Sequence, residues 1–289
     1  MSDDGGPVPP LSETYERQVR ALGAAGQARL RELNVAVVGL GGTGSVVVQQ
    51  LVHLGIRKFS LIDPDTIEAS NLSRIPHASN EDIGELKTTV ASRYIRRVAP
   101  DVEADEVADS VIRVRVARRV ADADMIFSCT DSHGSRAVLQ QIAYQYFVPC
   151  IDMGTTITVA KGRVSHVFGR VQLLAPGLSC LTCSGLLDPH EVRRDMMTVF
   201  ERQADPYVRG VRERVPAVMS LNSTVASLAV TMVLAVVVGF PGDARHLLYN
   251  AIAGTVRSVR VEQQSDCRTC SKSGVLARGD EWPLLGRLD

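Results

Sequence analysis

Gly39-Leu40-Gly41-Gly42-Thr43-Gly44 has the spacing G-x-G-x-x-G and lies between a β-branched run, Asn34–Gly39, and an apolar helical stretch, Ser45–Leu54. Glycine is needed where a chain turns sharply and where a phosphate must lie against the backbone. The helix that follows offers free N–H groups and a partial positive charge. Asp63 stands 19 residues beyond Gly44, at the end of the strand-like run Phe59–Asp63, placed to accept from ribose hydroxyls. Strand, loop, helix and acid in that order specify a nucleotide without saying which. No G-x-x-x-x-G-K-[ST] occurs, so a P-loop is excluded. On these residues alone the default is a nicotinamide-dependent oxidoreductase.

Three further features ask for more than hydride transfer. Asp63-Pro64-Asp65 leads into Asn71-Leu72-Ser73-Arg74. Lys87 follows Gly84, and Asp131 stands at the carboxyl end of the strand-like run Met125–Cys129. Ligands of parallel sheets bind at such ends. Arg17, on a helix expected over about Glu13–Leu33, could reach the same mouth from its own chain or from a partner. The catalytic set is therefore Arg17, Asn71, Arg74, Lys87 and Asp131. Gly39, Gly41, Gly42, Gly44, Asp63 and Asp65 join Asn71, Arg74 and Lys87 in holding the nucleotide. That composition suits attack of a carboxylate on the α-phosphate of ATP. Two anions must meet and pyrophosphate must leave, so cations offset the repulsion and stabilise the leaving oxygens. Asp131 would hold the magnesium that bridges phosphate oxygens. Each residue alone reads as a surface cation or a cap; their joint order around one loop argues for a site.

Cys180-Leu181-Thr182-Cys183 and Cys267-Arg268-Thr269-Cys270 are two C-x-x-C pairs. Four thiolates close a tetrahedral zinc site with no open position, which makes it structural. It would clip a span of about 90 residues that is otherwise entropically loose. A redox dithiol is the alternative, but such pairs start a helix near an N-terminal βαβ unit. Cys129 and Cys150 read as small buried hydrophobes, Cys150 lying near the ligand edge. The six His form no H-E-x-x-H and no close pair.

Strand-like runs at Asp101–Val107, Met125–Cys129 and Pro149–Asp152 alternate with helical stretches at Glu85–Val98 and Ser135–Phe147. This alternation specifies an α/β fold, a Rossmann-like mostly parallel sheet with helices on both faces. After Asp152 the runs Thr155–Ala160, Arg163–Phe168, Gln172–Ala175, Leu247–Asn250 and Val256–Val261 read as antiparallel strands that continue it. Residues 1–12 are expected to be a disordered lead. Residues 13–274 form one domain, with a nucleotide-binding half at 13–154 and a carrier-binding and zinc half at 155–274; 275–289 are a loose tail. The charged stretch Ser184–Val215 reads equally as a lid over a substrate tail or as a solvated loop. Arg113, Arg115, Arg118 and Arg119 form a solvated helix face.

The 289 residues carry 32 Lys+Arg against 32 Asp+Glu, with 45% hydrophobic residues. Charge balance argues against a nucleic-acid or membrane-surface binder, and the apolar share supports a large core. The acidic, Pro/Gly-rich start has no apolar run, so it is no signal peptide and the expected setting is cytoplasmic. Val225–Phe240 is the longest apolar stretch, short of the roughly 20 residues a bilayer needs; a buried helix is the better reading.

Tyr15-Glu16-Arg17-Gln18, the GLGGTG loop, IDPDTIEASNLSR, Gly84…Lys87, CTDSHGSR and the two CxxC pairs together resemble the ThiF/MoeB/HesA family, relatives of the ubiquitin-activating enzymes. The resemblance runs from about residue 15 to 270. It implies a homodimer that uses ATP to adenylate the C-terminal glycine carboxylate of a small ubiquitin-like or sulfur-carrier protein, or a peptide. It puts Asp63 on ribose, Arg17, Asn71, Arg74 and Lys87 on the phosphates, and Asp131 on magnesium. The residue matching Arg17 acts across the dimer in that family. Thr14 stands where the family often has Arg, and Ser132 where it has Asn, while Arg136 keeps its place. No cysteine lies in Ser184–Val215, where members that form a thioester carry one, so activation without a covalent thioester is expected. The non-enzyme rival is a silent scaffold that binds a ubiquitin-like partner.

Overall fold

Val35, Ala36 and Val37 are fully buried, as an unbroken apolar run must be when helices cover both faces of a sheet. They form the middle of β1 (Asn34–Val38). The computed structural model describes residues 13–198, 200–201, 216–239 and 241–288. Its other strands are β2 (Lys58–Ile62), β3 (Glu103–Val107), β4 (Met125–Ser128), β5 (Cys150–Ala160), β6 (Arg163–Leu174), β7 (His246–Asn250) and β8 (Thr255–Ser258). All belong to one eight-stranded sheet, ordered β3-β2-β1-β4-β5-β6-β7-β8. Pairing is parallel from β3 to β5 and antiparallel from β5 to β8. The expected fold class is therefore the observed one. Strand order reverses between β1 and β4, and the crevice beyond their carboxyl ends is where ligands of such sheets lie.

The helices are α1 (Glu16–Glu32), α2 (Gly42–Leu54), α3 (Lys87–Val98), α4 (Val114–Val120), α5 (His133–Gln145), α6 (Pro189–Met196) and α7 (Met219–Val237). One core joins α1, α2, α3 and α7 to one face of the sheet through Leu30, Leu51, Ile95 and Val225. A second core joins α4 and α5 to the other face and takes in the cysteine pairs. The apolar helix α7 starts six residues before the expected Val225. It is long and apolar enough to cross a bilayer, but it lies on α2, β5 and β6 with Val225, Ala226, Ala229, Val230 and Val233 in the core.

Runs expected as separate strands are continuous, with a glycine inside each. Thr155–Ala160 continues Pro149–Asp152 as β5, and Arg163–Phe168 joins Gln172–Ala175 as β6. Gly154 and Gly169 are close-approach positions: a Cβ on Gly154 would lie 3.1 Å from the Arg136 guanidinium, and one on Gly169 would overlap Val225 of α7. Residues 275–288 are not the loose tail expected. Gln141 and Gln145 of α5, both buried, donate to the carbonyls of Pro283, Gly279 and Trp282, and Leu284 enters the core. Buried amides need partners, and this segment supplies them. Within Ser184–Val215, α6 is capped by Asp188, which accepts from His190 N–H at 2.8 Å. Residues 199 and 202–215 lie outside the described residues, and the lid reading falls largely on them.

Candidate functional site

The four glycines of the loop have different reasons to be glycine. Gly39 adopts φ +90°, and a Cβ there would lie 2.7 Å from the Cys129 carbonyl. A Cβ on Gly44 would overlap the Gly39 carbonyl, and one on Gly42 would overlap the Asn222 amide, with Arg74 Cδ at 3.1 Å. Gly41 is otherwise. Its backbone is extended (φ −72°, ψ −156°), and a Cβ would meet nothing within 4 Å. Packing within the chain dictates three glycines; the fourth keeps open the space in front of the α2 N-terminus. An open cradle at a helix start fits a phosphate.

Asp63, 4% exposed, closes β2. Its carboxylate accepts from Leu40 N–H (2.6 Å) and Asp65 N–H (2.9 Å), which ties the acid to the glycine loop. Burial raises its pKa, working against Lys87 and the two backbone donors. Lys87 begins α3, and its Nζ lies 2.7 Å from Asp65 Oδ2 and 3.6 Å from Asp63 Oδ1. Arg74 arches over Gly42 with Nη1 donating to the Ser70 carbonyl at 2.7 Å. Asn71 is buried and spent on its own turn: its Oδ1 accepts from Glu68 N–H at 3.3 Å, and its Nδ2 donates to Ser70 Oγ at 3.4 Å. Asp131 is exposed just beyond β4 and makes no hydrogen bond or ion pair among the described residues. A carboxylate open to water suits magnesium, which keeps several of its waters. Ser132 caps α5, accepting from Ser135 N–H at 3.1 Å, and donates to Asp195 at 2.8 Å.

Arg17 is not brought to this mouth. It is exposed on α1, whose start is fixed at the opposite edge of the sheet: Gln18 donates to the His53 carbonyl at 2.8 Å, and Tyr15 bonds Arg57. Those contacts lie at the far end of α2, which at 13 residues is roughly 20 Å long. The own-chain route for Arg17 is thereby corrected.

One part of this region went unread in the sequence. Asp152 of β5 is fully buried, paired with Arg170 and Arg136 (Nε at 3.4 Å) and accepting from Ser128 Oγ at 2.8 Å. Burial alone would raise its pKa; the two guanidiniums and the hydroxyl outweigh it and hold the carboxyl below the usual range. Arg136 Nη2 also donates to the Met153 carbonyl at 3.2 Å, so the cluster locks α5, β4, β5 and β6 together beneath the mouth. Asn222 at the loop was missed as well. An acid inside an apolar strand is the signal that marked Asp152; nothing marked Asn222.

The four paired cysteines converge. Cys180 and Cys267 sulfurs are 3.5 Å apart, as are those of Cys183 and Cys270, and all four lie within 4.8 Å of one another. Thiolates around tetrahedral zinc stand about 3.8 Å apart, and a disulfide would need about 2 Å. The donor set fits zinc. Cys150 is fully buried and Cys129 half-buried, and burial raises both thiol pKa values, so neither is a ready nucleophile.

The chain is 25% identical over 267 residues to the SAMP-activating enzyme E1 of Haloferax volcanii, covering 91% of this chain and 90% of that protein. It is 25% identical over 260 residues to the molybdopterin-synthase adenylyltransferase of Escherichia coli, covering 89% and 96%. The crystal structure of E. coli MccB with ATP shares the fold, with a TM-score of 0.71 at 19% identity over 90% of this chain and 75% of that one. The model of the ThiF family matches residues 15–269, and the chain belongs to that family.

Proposed function

We propose that this chain is an adenylyltransferase that activates the C-terminal carboxylate of a small ubiquitin-like or sulfur-carrier protein, or of a peptide, with ATP. The observation that carries the reading is the open cradle at Gly41, with Asp63, Arg74, Lys87 and Asp131 on the same strand-end edge. Asp63 accepts from the ribose hydroxyls, and the phosphates lie against the N–H groups that open α2. Arg74 and Lys87 offset the charge of the incoming carboxylate and of the departing pyrophosphate. A carboxylate oxygen bonds to the α-phosphorus as the bond to the bridging oxygen breaks, leaving an acyl-adenylate and pyrophosphate. Magnesium held by Asp131 would supply bridging positive charge to the phosphate oxygens.

Arg17 completes the site from a second copy, which makes the active form a homodimer. With Cys150 buried, Cys129 half-buried and both thiols held protonated by desolvation, the adenylate passes to an acceptor without a thioester on the described part of this chain. Zinc on Cys180, Cys183, Cys267 and Cys270 is structural. The setting is cytoplasmic, where ATP and reduced thiols coexist.

The test is exchange of labelled pyrophosphate into ATP with candidate carriers ending in glycine. Carrier-dependent exchange is expected. Tight NADH binding with no affinity for ATP would overturn the reading in favour of an oxidoreductase.

A further inference from the structure

Asn71 and Asn222, the two buried asparagines among the described residues, differ in their bonding. Asn71 is committed at both ends to its own turn. Asn222, in the first turn of α7, is 3% exposed, and its Oδ1 accepts from Thr155 Oγ1 at 3.3 Å. That bond directs the amide nitrogen away from β5 and onto Gly42, where Arg74 also converges. Nδ2 makes no hydrogen bond among the described residues and is not one of the fully buried unpaired side-chain atoms, so it borders open space beside the loop. A donor at the rim of open space can meet a ligand's acceptor without giving up a partner within the protein. Leu221 and Val225 beside it enter the apolar core, while the Asn222 amide is turned toward the loop instead.

We propose that Asn222 is a nucleotide-binding residue, whose Nδ2 donates to a phosphate oxygen lying over Gly41 and Gly42, and that Thr155 is the positioning residue that orients it. This rests on the ATP reading above. The arrangement adds a donor from the antiparallel half of the chain to a phosphate site otherwise built from the parallel half.

The experiment titrates the full chain with a non-hydrolysable ATP analogue and, separately, with adenosine. Asn222→Asp keeps an acceptor for Thr155 but turns a negative oxygen toward the phosphates. It should weaken the analogue by roughly tenfold or more, the loss expected for a hydrogen bond to a charged acceptor. Adenosine, which lacks phosphate, should change by less than about twofold. Thr155→Val, nearly isosteric, should cost the analogue about threefold and carries the test if the first variant does not fold. Thermal unfolding establishes that each variant is folded. Folded variants that bind the analogue within twofold of the unaltered protein, or that lose analogue and adenosine equally, overturn the role of Asn222. Failure of the unaltered protein to bind any ATP analogue would overturn the functional reading itself, and is visible without the variants.

Discussion

Gly41→Ala separates what the fold needs from what the nucleotide needs. The new methyl meets nothing within 4 Å, and the backbone is already extended. Stability should therefore change by no more than about 1 kcal/mol, with the reduced freedom of the unfolded chain pushing toward stabilisation. The nucleotide feels the same methyl as overpacking against a phosphate, at about 1–3 kcal/mol, which is roughly 5- to 150-fold in affinity. Gly44→Ala is the converse control: its methyl would overlap the Gly39 carbonyl, a backbone atom that cannot swing aside. It should lower stability by several kcal/mol whether or not nucleotide is present. The assay is thermal unfolding of both variants with and without ATP, alongside direct titration. A folded Gly41→Ala protein that binds ATP as tightly as the unaltered one would refute the phosphate cradle, and with it the reason for placing the α-phosphate there.

Other consequences are equally direct. Asp131→Asn should abolish pyrophosphate exchange with the fold intact, and Arg17→Ala should do the same. Mixing the two dead variants should restore up to about a quarter of the activity if subunits exchange at random, because one of the two sites in a mixed dimer is whole; no recovery from a verified mixed dimer would refute delivery across the interface. Metal analysis should find one zinc per chain, and a strong chelator or Cys267→Ser should release it and lower the melting temperature, since the metal holds the 180–183 knuckle to the C-terminal segment. Asp152→Asn leaves two buried guanidiniums short of a counter-charge and should cost about 3–5 kcal/mol at neutral pH. The sign follows from the lowered carboxyl pKa: the contribution is present above the unfolded value near 3.9 and fades as pH falls through the lower folded one, so acid titration of stability should show the variant's deficit shrinking.

The parallel half was legible because local patterns there coincide with tertiary demands. β1 is an uninterrupted apolar run, the glycine loop must follow it, and Asp63 must close β2 for its carboxylate to meet Leu40 N–H. The antiparallel half was less so. Gly154 and Gly169 resemble strand breaks in sequence, yet they are strand interiors thinned to admit Arg136 and Val225, which are distant in the chain. The segment after Gly274 has the composition of a tail; its order comes from Gln141 and Gln145, whose buried amides fix it from more than 130 residues away. Asn222 failed to register for a similar reason: it is one of several polar residues on a mainly apolar helix, and nothing sets it apart until the helix is laid against the loop.

Charge at the mouth bears on the proposed need for a second copy. Around the cradle, Arg74 and Lys87 stand against Asp63, Asp65 and Asp131, two cations against three carboxylates. With all five ionised, the balance is negative before ATP arrives, and two of the acids already hold Lys87. The carboxyl pKa of Asp63 is correspondingly pushed up, chiefly by burial. Bringing in a polyanionic nucleotide and then a second carboxylate calls for positive charge beyond these two cations. Magnesium at Asp131 and a guanidinium from the partner's α1 would supply it, both arriving only with substrate or assembly. Until then the acids keep Lys87 in place, and the proposed homodimer, if it forms, should bind ATP more tightly than the monomer does, a difference that titration at protein concentrations above and below the dissociation point would reveal.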